Sequence, residues 1–472
     1  AFAQAFVPVL GEYREQGSKA AVIALVSRVS GTLGLTLFVF TCIIVLLAPL
    51  MAAIFAPSWY LNDVLKFSAT GEMLRITFPY LLFISMTGVA GGILNSYDRF
   101  AVPAFTPILL NFILILAAVF AAPLFEQPAF ALAWGVLIAG IVQFLFQLPF
   151  LYRIHMLPVP RVDWMDPGVK KILLLMGPAI FGVSVSQINL LLDTMLATFL
   201  PTGSVSWLYY SDRLAELPLG VFGIAIATVI LPNLSRHHVS KAAQDYSGTL
   251  DWALRMVLLV AVPAAAALAL LAEPILVTLF YYGEVMTPND MKMASYSLRA
   301  YSFGLIAFML IKVLAPGFFA RQDMRTPVRI GIVAMLSNMM LNILFVIPLH
   351  YYWSLGHLGL AAATSVSAFI NALLLFAYLR KKDIYQPQGN WILFYVRLIT
   401  AVLIMLIVLV WLSDYHNVLD AQHWRQGLWW QRSGGIVGIC FAGFSTYVLV
   451  LFVSGFRWSD LRGPEKATGR NL

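Results

Sequence analysis

Long, mainly apolar stretches broken by short polar turns run the length of this chain. Stretches of about 20 residues or more, each long enough to cross a hydrocarbon core as a helix, fall near 28–54, 72–95, 103–124, 129–151, 171–200, 205–233, 252–281, 295–318, 328–349, 358–380, 391–412 and 434–456. The pattern predicts twelve complete spans. They are preceded by AFAQAFVPVLGEY, which reads as the tail of a further helix and has neither the basic start nor the cleavage motif of a signal peptide. Between spans lie Pro, Gly and polar turn sequences such as LPTGS (200–204), FARQDMRTP (319–327) and RKKDIYQPQGN (380–390).

Composition turns that pattern into a class. With 61% hydrophobic residues, 11% charged and a mean hydropathy of +0.84, the chain lies outside the range of soluble globular proteins. The fold class is therefore an all-α polytopic membrane protein. A net charge of +8 would suggest nucleic acid in a soluble protein, but here it follows from orientation. Alternate connections carry Arg14, Lys19, Arg28; Arg99; Arg153, Arg161, Lys170, Lys171; Arg236, Lys241; Arg321, Arg325, Arg329; Arg380, Lys381, Lys382; and Arg457, Arg462, Lys466, Arg470. The opposite set carries only Lys66, Lys292, Arg425 and Arg432. The first set is assigned to the cytoplasmic side. Cys42 and Cys440 sit far apart in apolar runs and suggest packing residues, with no disulfide or metal role. The seven histidines fall in or beside loops and are expected at the surface.

A repeat is visible in the proline turns. Pro8 and Pro232 end similar helices (AFVPVLGEY, VILPNLSRH), as do Pro103 and Pro327 (GILNSYDRFAVP, GFFARQDMRTP), and both pairs are 224 residues apart. That spacing predicts two six-helix lobes in parallel repeat plus two C-terminal transmembrane helices. The expected divisions are an N-lobe at 1–152, a cytoplasmic linker at 153–170, a C-lobe at 171–380 and the extra helices with a tail at 381–472. The repeat also predicts about 50 residues, one helix and most of a second, ahead of Ala1.

Three strings carry a family resemblance: VSVSQINLLLDTMLATFLPTGSVSWLYYSDRLAELPLGVFGIAIATVILPNLS, KVLAPGFFARQDMRTPV and ILNSYDRFAVPAFTPILLN. They resemble the MurJ (MviN) lipid II flippases of the multidrug/oligosaccharidyl-lipid/polysaccharide exporter superfamily. The resemblance implies two six-helix lobes around a central cavity and two C-terminal helices bordering a groove for a polyprenyl tail. It further implies movement of the peptidoglycan precursor lipid II from the inner to the outer leaflet of a bacterial inner membrane by alternating access. The implied partners are lipid II and membrane lipids, with no nucleic acid, and a monomer is expected.

Such a pathway needs cations at membrane depth, and an intramembrane Arg is costly unless it meets a partner or water. Arg213 lies about 12 Å inside the span that begins near residue 205, by helical rise. Asp212 and Glu216 moderate its charge, and Ser206, Tyr209, Arg213 and Glu216 share one helical face. The face reads as a lining for an anionic head group, and Arg213 matches the family's cavity arginine on this helix. The competing reading is a self-neutralising ion cluster that fixes packing. Arg75, Arg255, Arg299 and Arg397, near span ends, read as side chains snorkelling to the interface, while Lys312 suits snorkelling and cavity lining equally. HWRQGLWWQR (423–432) reads as an outer interfacial belt.

No organic cofactor is called for; a sodium ion is the one candidate. Asp193, Asn338, Asn342 and Thr364 fall at similar depths, about 9–12 Å into their spans by helical rise. With the Leu360 carbonyl they offer a hard-oxygen set, and some members of the resembled family have a sodium site of this pattern. The same groups otherwise serve as hydrogen bonds between helices, or Asp193 pairs with Arg213. Three other functions compete. An intramembrane enzyme would need clustered carboxylates or HExxH, and neither occurs. A different oligosaccharide-lipid flippase or a MATE-like cation-coupled exporter shares the architecture, and cavity charge separates them. A structural scaffold predicts no open cavity.

Overall fold

In a computed structural model of the chain, the structure describes residues 2–16, 18–223, 225, 226, 230, 233, 234, 243–282 and 285–457. Pro232, the loop with Arg236 and Lys241, His237, His238, and the tail with Arg462, Lys466 and Arg470 lie outside the described residues. The described secondary structure is helical, without strands. Among the described residues, 10 helices are long and apolar enough to cross a membrane. Two expected spans are not among those ten. The one at 171–200 corresponds to the helix Pro167–Ala197, and the one at 205–233 begins as Ser204–Pro218.

Several spans read as continuous are broken, and prolines account for the breaks. The span 28–54 divides at Leu47 ahead of Pro49, 72–95 at Phe78 and Pro79, 252–281 at Leu271 ahead of Pro274, and 295–318 at Ala315 ahead of Pro316. A proline has no N–H to donate and its ring collides with the carbonyl four residues earlier. Apolar composition conceals this, because hydropathy is the same on both sides of the break.

Contacts divide the chain into two compact units, Ala1–Met195 and Leu196–Leu472. The first contains α1 (Phe2–Gln16), α2 (Lys19–Leu46), α3 (Ala48–Phe55), α4 (Pro57–Asn62), α5 (Val64–Thr77), α6 (Tyr80–Ser96), α7 (Ala101–Leu116), α8 (Pro128–Arg153) and nearly all of α9 (Pro167–Ala197). Its core gathers Phe6, Leu10, Leu25, Ile93, Leu94 and Leu151. Lipid gives helices no hydrophobic reason to associate, so polar contacts matter. Here Gln143 donates to the Thr106 carbonyl at 3.0 Å and Gln147 to the Thr106 hydroxyl at 2.9 Å, tying α8 to α7. The connection from α8 to α9 is largely exposed but anchored: Arg28 of α2 pairs with buried Asp166 at 2.5 Å, and Asp166 caps α9 through the amides of Gly168 and Val169.

The second unit contains α10 (Ser204–Pro218), α11 (Ala243–Leu270), α12 (Ala272–Phe280), α13 (Pro288–Leu314), α14 (Pro316–Phe319), α15 (Arg325–Trp353), α16 (Gly356–Lys381), α17 (Trp391–Tyr415), α18 (Ala421–Gln426) and α19 (Trp429–Val453). At its centre α13 packs against α10, α11, α12 and α16. Small and hydroxyl residues allow close approach: Ser211 donates to the Ala294 carbonyl, Ser365 to Ala300 and Ser367 to Ala334, each at 2.7 Å. Gly203 starts α10 at φ 104°, and an added Cβ would lie 2.6 Å from the Trp207 indole, so this turn needs glycine on both counts.

Two expectations are corrected. His357 is fully buried at the start of α16, where its ring stacks edge-on to Trp207 and Nε2 lies 3.2 Å from the Met293 carbonyl. The short loop before α16 brings the helix start inside the unit, which a margin position in sequence does not disclose. His155, His350, His416 and His423 are exposed as expected. Cys42 and Cys440 are exposed, not packed, because their helix faces turn outward.

Candidate functional site

The helix α10 has two unlike faces. Ser204, Trp207, Ser211, Leu214 and Ala215 are buried against the rest of the second unit, so Ser206, Tyr209, Arg213 and Glu216 are left exposed. The three-or-four spacing seen in the sequence is thus one accessible stripe. Arg213 pairs with Glu216 at 2.8 Å and lies over the Tyr209 ring at 5.1 Å. Both ends of the pair are more than half exposed, 56% and 51%. Asp212 is half-buried beside the stripe. Lys312 is exposed on α13 and its stem passes the segment that continues α10, near Gly223.

The proposed ion ligands of the second unit come together. Asn338 and Asn342 are each 1% exposed. Asn342 Nδ2 donates to Asn338 Oδ1 at 3.0 Å, Asn338 Nδ2 to Thr364 Oγ1 at 3.3 Å, and Thr364 Oγ1 to the Leu360 carbonyl at 3.0 Å. Four of the five predicted groups therefore form one cluster between α15 and α16. Their oxygens suit a small hard cation. Asp193 belongs to the first unit, on α9, where Asn189 donates to it at 3.4 Å.

The C-terminal helices are fastened to the second unit at three levels. At one end, buried Arg432 donates to the carbonyls of Val277 and Tyr281 at 3.1 and 3.3 Å, Arg425 pairs with Glu273 at 3.3 Å, and Trp424 donates to Thr278. Arg432 meets the carbonyl end of α12, where the helix dipole favours a cation, while Arg425 holds Glu273 in the first turn of the same helix. The expected interfacial belt is thus also a clamp. Midway, the Tyr447 hydroxyl donates to the Leu259 carbonyl at 2.7 Å. At the other end, buried Asp251 of α11 accepts from Tyr385, the Gln388 amide and Trp391, and pairs with Arg255 at 3.0 Å. In this loop the Tyr385 phenol is pushed up from its ordinary value by burial and by its bond to Asp251.

Between α11, α17 and α19 runs an apolar groove of about 450 Å³, walled by Pro263, Met405, Leu409, Tyr447 and Leu451 and lined as well by Phe222 beyond α10. The last two helices thus wall this groove. Sequence reasoning also gave Arg255 to the interface as a free side chain. It is instead held by Asp251 and covered by Trp391 at 4.8 Å and Phe394 at 5.6 Å. The available signal was the Asp251, Arg255 spacing of four and the aromatic pair three residues apart.

A multi-pass helical bundle whose second unit sets an accessible stripe of charged and hydroxyl side chains and an apolar groove on connected elements defines a membrane transporter for an amphiphilic solute. The family model described as lipid II flippase MurJ matches residues 1–421. The chain belongs to the MurJ lipid II flippase family. A probable lipid II flippase MurJ from Vibrio cholerae is 48% identical over 98% of this chain and 87% of its own length. A lipid II flippase MurJ from Burkholderia cenocepacia is 43% identical over 99% and 89%. Among solved structures, a lipid II flippase MurJ in an inward closed conformation superimposes with TM-score 0.74 at 24% identity, covering 95% of this chain and 86% of that one. An inward-facing MATE family transporter of the MOP superfamily gives TM-score 0.67 at 14% identity, covering 81% and 86%. These two likenesses concern the fold.

Proposed function

We propose that this protein is a lipid II flippase, which moves its substrate across the membrane without making or breaking a covalent bond. The observation that carries the reading is the family match along residues 1–421. The chemistry of the second unit fits it. Lipid II joins a pyrophosphate to a sugar-peptide head and a long apolar tail, and the protein offers a place for each kind of group. The guanidinium of Arg213 presents a planar fork suited to phosphate oxygens. Its bond to Glu216 is an exposed ion pair, worth about 0–1 kcal/mol, so an incoming phosphate displaces Glu216 at little cost. Ser206 and Tyr209 extend the stripe with hydroxyls, and Asp212 and Glu216 limit its net charge so that the head group is also released. The groove beside α19 takes the tail. MATE transporters, the alternative on this architecture, share the fold at 14% identity; the family match over residues 1–421, and not the charge of the α10 stripe, in which Glu216 balances Arg213, favours the lipid II reading.

The inner membrane of a bacterium is the setting this function requires, and we propose that the protein acts there as a monomer. The reading extends to coupling. A sodium ion bound by Asn338, Asn342, Thr364 and the Leu360 carbonyl would favour one state of the transport cycle. The buried oxygen cluster between α15 and α16 supports it. The test of flipping is rescue of a bacterium depleted of its own lipid II flippase, with lipid II exposure at the outer leaflet as the readout. Expression without rescue or exposure would overturn it.

A further inference from the structure

Beside the three-level clamp, at the end of α11 near Asp251, lies a second cavity of about 480 Å³ bordered by Arg255 and Arg397. Its two guanidinium groups are in different states. Arg255 is neutralised by Asp251 and fixed between Trp391 and Phe394, and it donates to the Gln388 carbonyl. Gly389 makes that contact possible: it sits at φ 69°, and an added Cβ would lie 3.2 Å from the guanidinium. Arg397 has no carboxylate among the described residues, and its Nε is buried without a hydrogen-bond partner. The cavity therefore keeps about one uncompensated positive charge, with the amides of Gln388 and Asn390 on its wall. Arg397 is half-buried, and an anion entering this cavity would supply the partner that its guanidinium lacks among the described residues.

The neighbouring space says what kind of anion. Phe456 lines both this cavity and the apolar groove, and Arg457 stands at the groove's same end. A molecule filling both has an anionic head and a hydrocarbon chain. The cavity also adjoins the loop 380–390 with Arg380, Lys381 and Lys382, the side the charge bias assigns to the cytoplasm. We propose that Arg397 and Arg255 bind the phosphate of a lipid in the cytoplasmic leaflet, with its chain in the groove between α11, α17 and α19. Polyprenyl pyrophosphates and anionic glycerophospholipids share this chemistry. The proposal rests on the reading of the groove as a lipid site, and not on transport.

The test is equilibrium binding to the purified protein of four probes: undecaprenyl pyrophosphate, phosphatidylglycerol, undecaprenol and inorganic pyrophosphate. We expect Arg397→Gln to weaken a phosphate-bearing lipid at least tenfold, Arg397→Lys to restore part of the loss, and undecaprenol to bind both forms equally. A loss confined to undecaprenyl pyrophosphate makes this a loading site for the substrate; a loss of phosphatidylglycerol as well makes it a general phospholipid site. Both outcomes uphold the phosphate pocket. Unchanged binding of both phosphate lipids to a folded Arg397→Gln protein overturns it, and inorganic pyrophosphate binding as tightly as its lipid removes the groove from the proposal. Arg213→Gln, measured alongside, should leave phosphatidylglycerol binding unchanged. Failure of flipping and failure of this pocket are thus read in separate experiments.

Discussion

At the scale of single residues, a charge in an apolar chain serves packing or a ligand, and the two roles predict different outcomes when it is removed. Arg213 is paired yet open, so its removal leaves no buried partner stranded. Arg213→Ala should abolish rescue of the flippase-depleted strain while membrane expression stays near normal, and Arg213→Lys, which keeps the charge but loses the fork, should rescue in part. Loss of expression would instead make the cluster a packing device. Arg432 is the contrasting case. It is 5% exposed and serves two carbonyls at the end of α12, those of Val277 and of Tyr281 just beyond the helix, so Arg432→Met should destabilise the purified protein by about 2–3 kcal/mol and lower its melting temperature with little change in lipid specificity. The sequence disclosed Arg213 because helical periodicity puts its neighbours on one face. It did not disclose Arg397, because an arginine at a span end looks the same whether its head reaches open water or lines a pocket.

At the scale of elements, hydropathy located the spans but not their internal joints, since a proline costs a helix its hydrogen bond without changing how apolar the segment is. The ends of helices depend on single polar groups that composition does not weigh. Asp323 illustrates this: its carboxylate accepts from the Thr326 amide at 3.0 Å and the Thr326 hydroxyl at 2.7 Å as α15 begins. Burial pulls its pKa upward, but the bonds to Thr326, with Lys382 and the Arg325 amide, outweigh it and hold Asp323 below the usual carboxylate range. Asp323→Ala should cost about 1 kcal/mol, as for other helix-start caps. Because the folded pKa is depressed, that stabilisation is fully present above the unfolded value of about 3.9 and disappears as pH falls through the folded value. The melting difference between the native protein and Asp323→Asn should therefore be constant from neutral pH down to about 5 and shrink below about 4. A difference that grows on acidification would show that Asp323 is not held as its contacts require.

At the scale of the whole chain, two readings bind residues far apart in sequence, and each has its own measurement. The first is orientation. Twenty of the basic residues fall on alternate connections and four on the others, and such a bias sets which loops stay in the cytoplasm. With Cys42 and Cys440 replaced by Ser, a cysteine at exposed Arg161 should be blocked only by a reagent that enters the cell, and one at exposed Val285 by a reagent that does not. Blocking of both from outside would overturn the orientation and, with it, the cytoplasmic placement of the phosphate pocket. The second is sodium. The spacing of Asn338 and Asn342 by one turn was legible, as was their match in depth to Thr364, and the structure joins them with the Leu360 carbonyl in one hydrogen-bonded cluster. What the sequence could not decide is whether those groups serve only one another. An ion bound to the folded state alone raises stability by about 2.7 kcal/mol at a hundred times its dissociation constant, whereas hydrogen bonds among the side chains gain nothing from added salt of one cation over another. Purified protein should therefore melt higher in sodium than in potassium at equal ionic strength, and Asn342→Ala should erase the difference. Equal melting of the native protein in the two salts up to molar concentration would leave the cluster as a polar joint between α15 and α16, and coupling would have to be sought elsewhere.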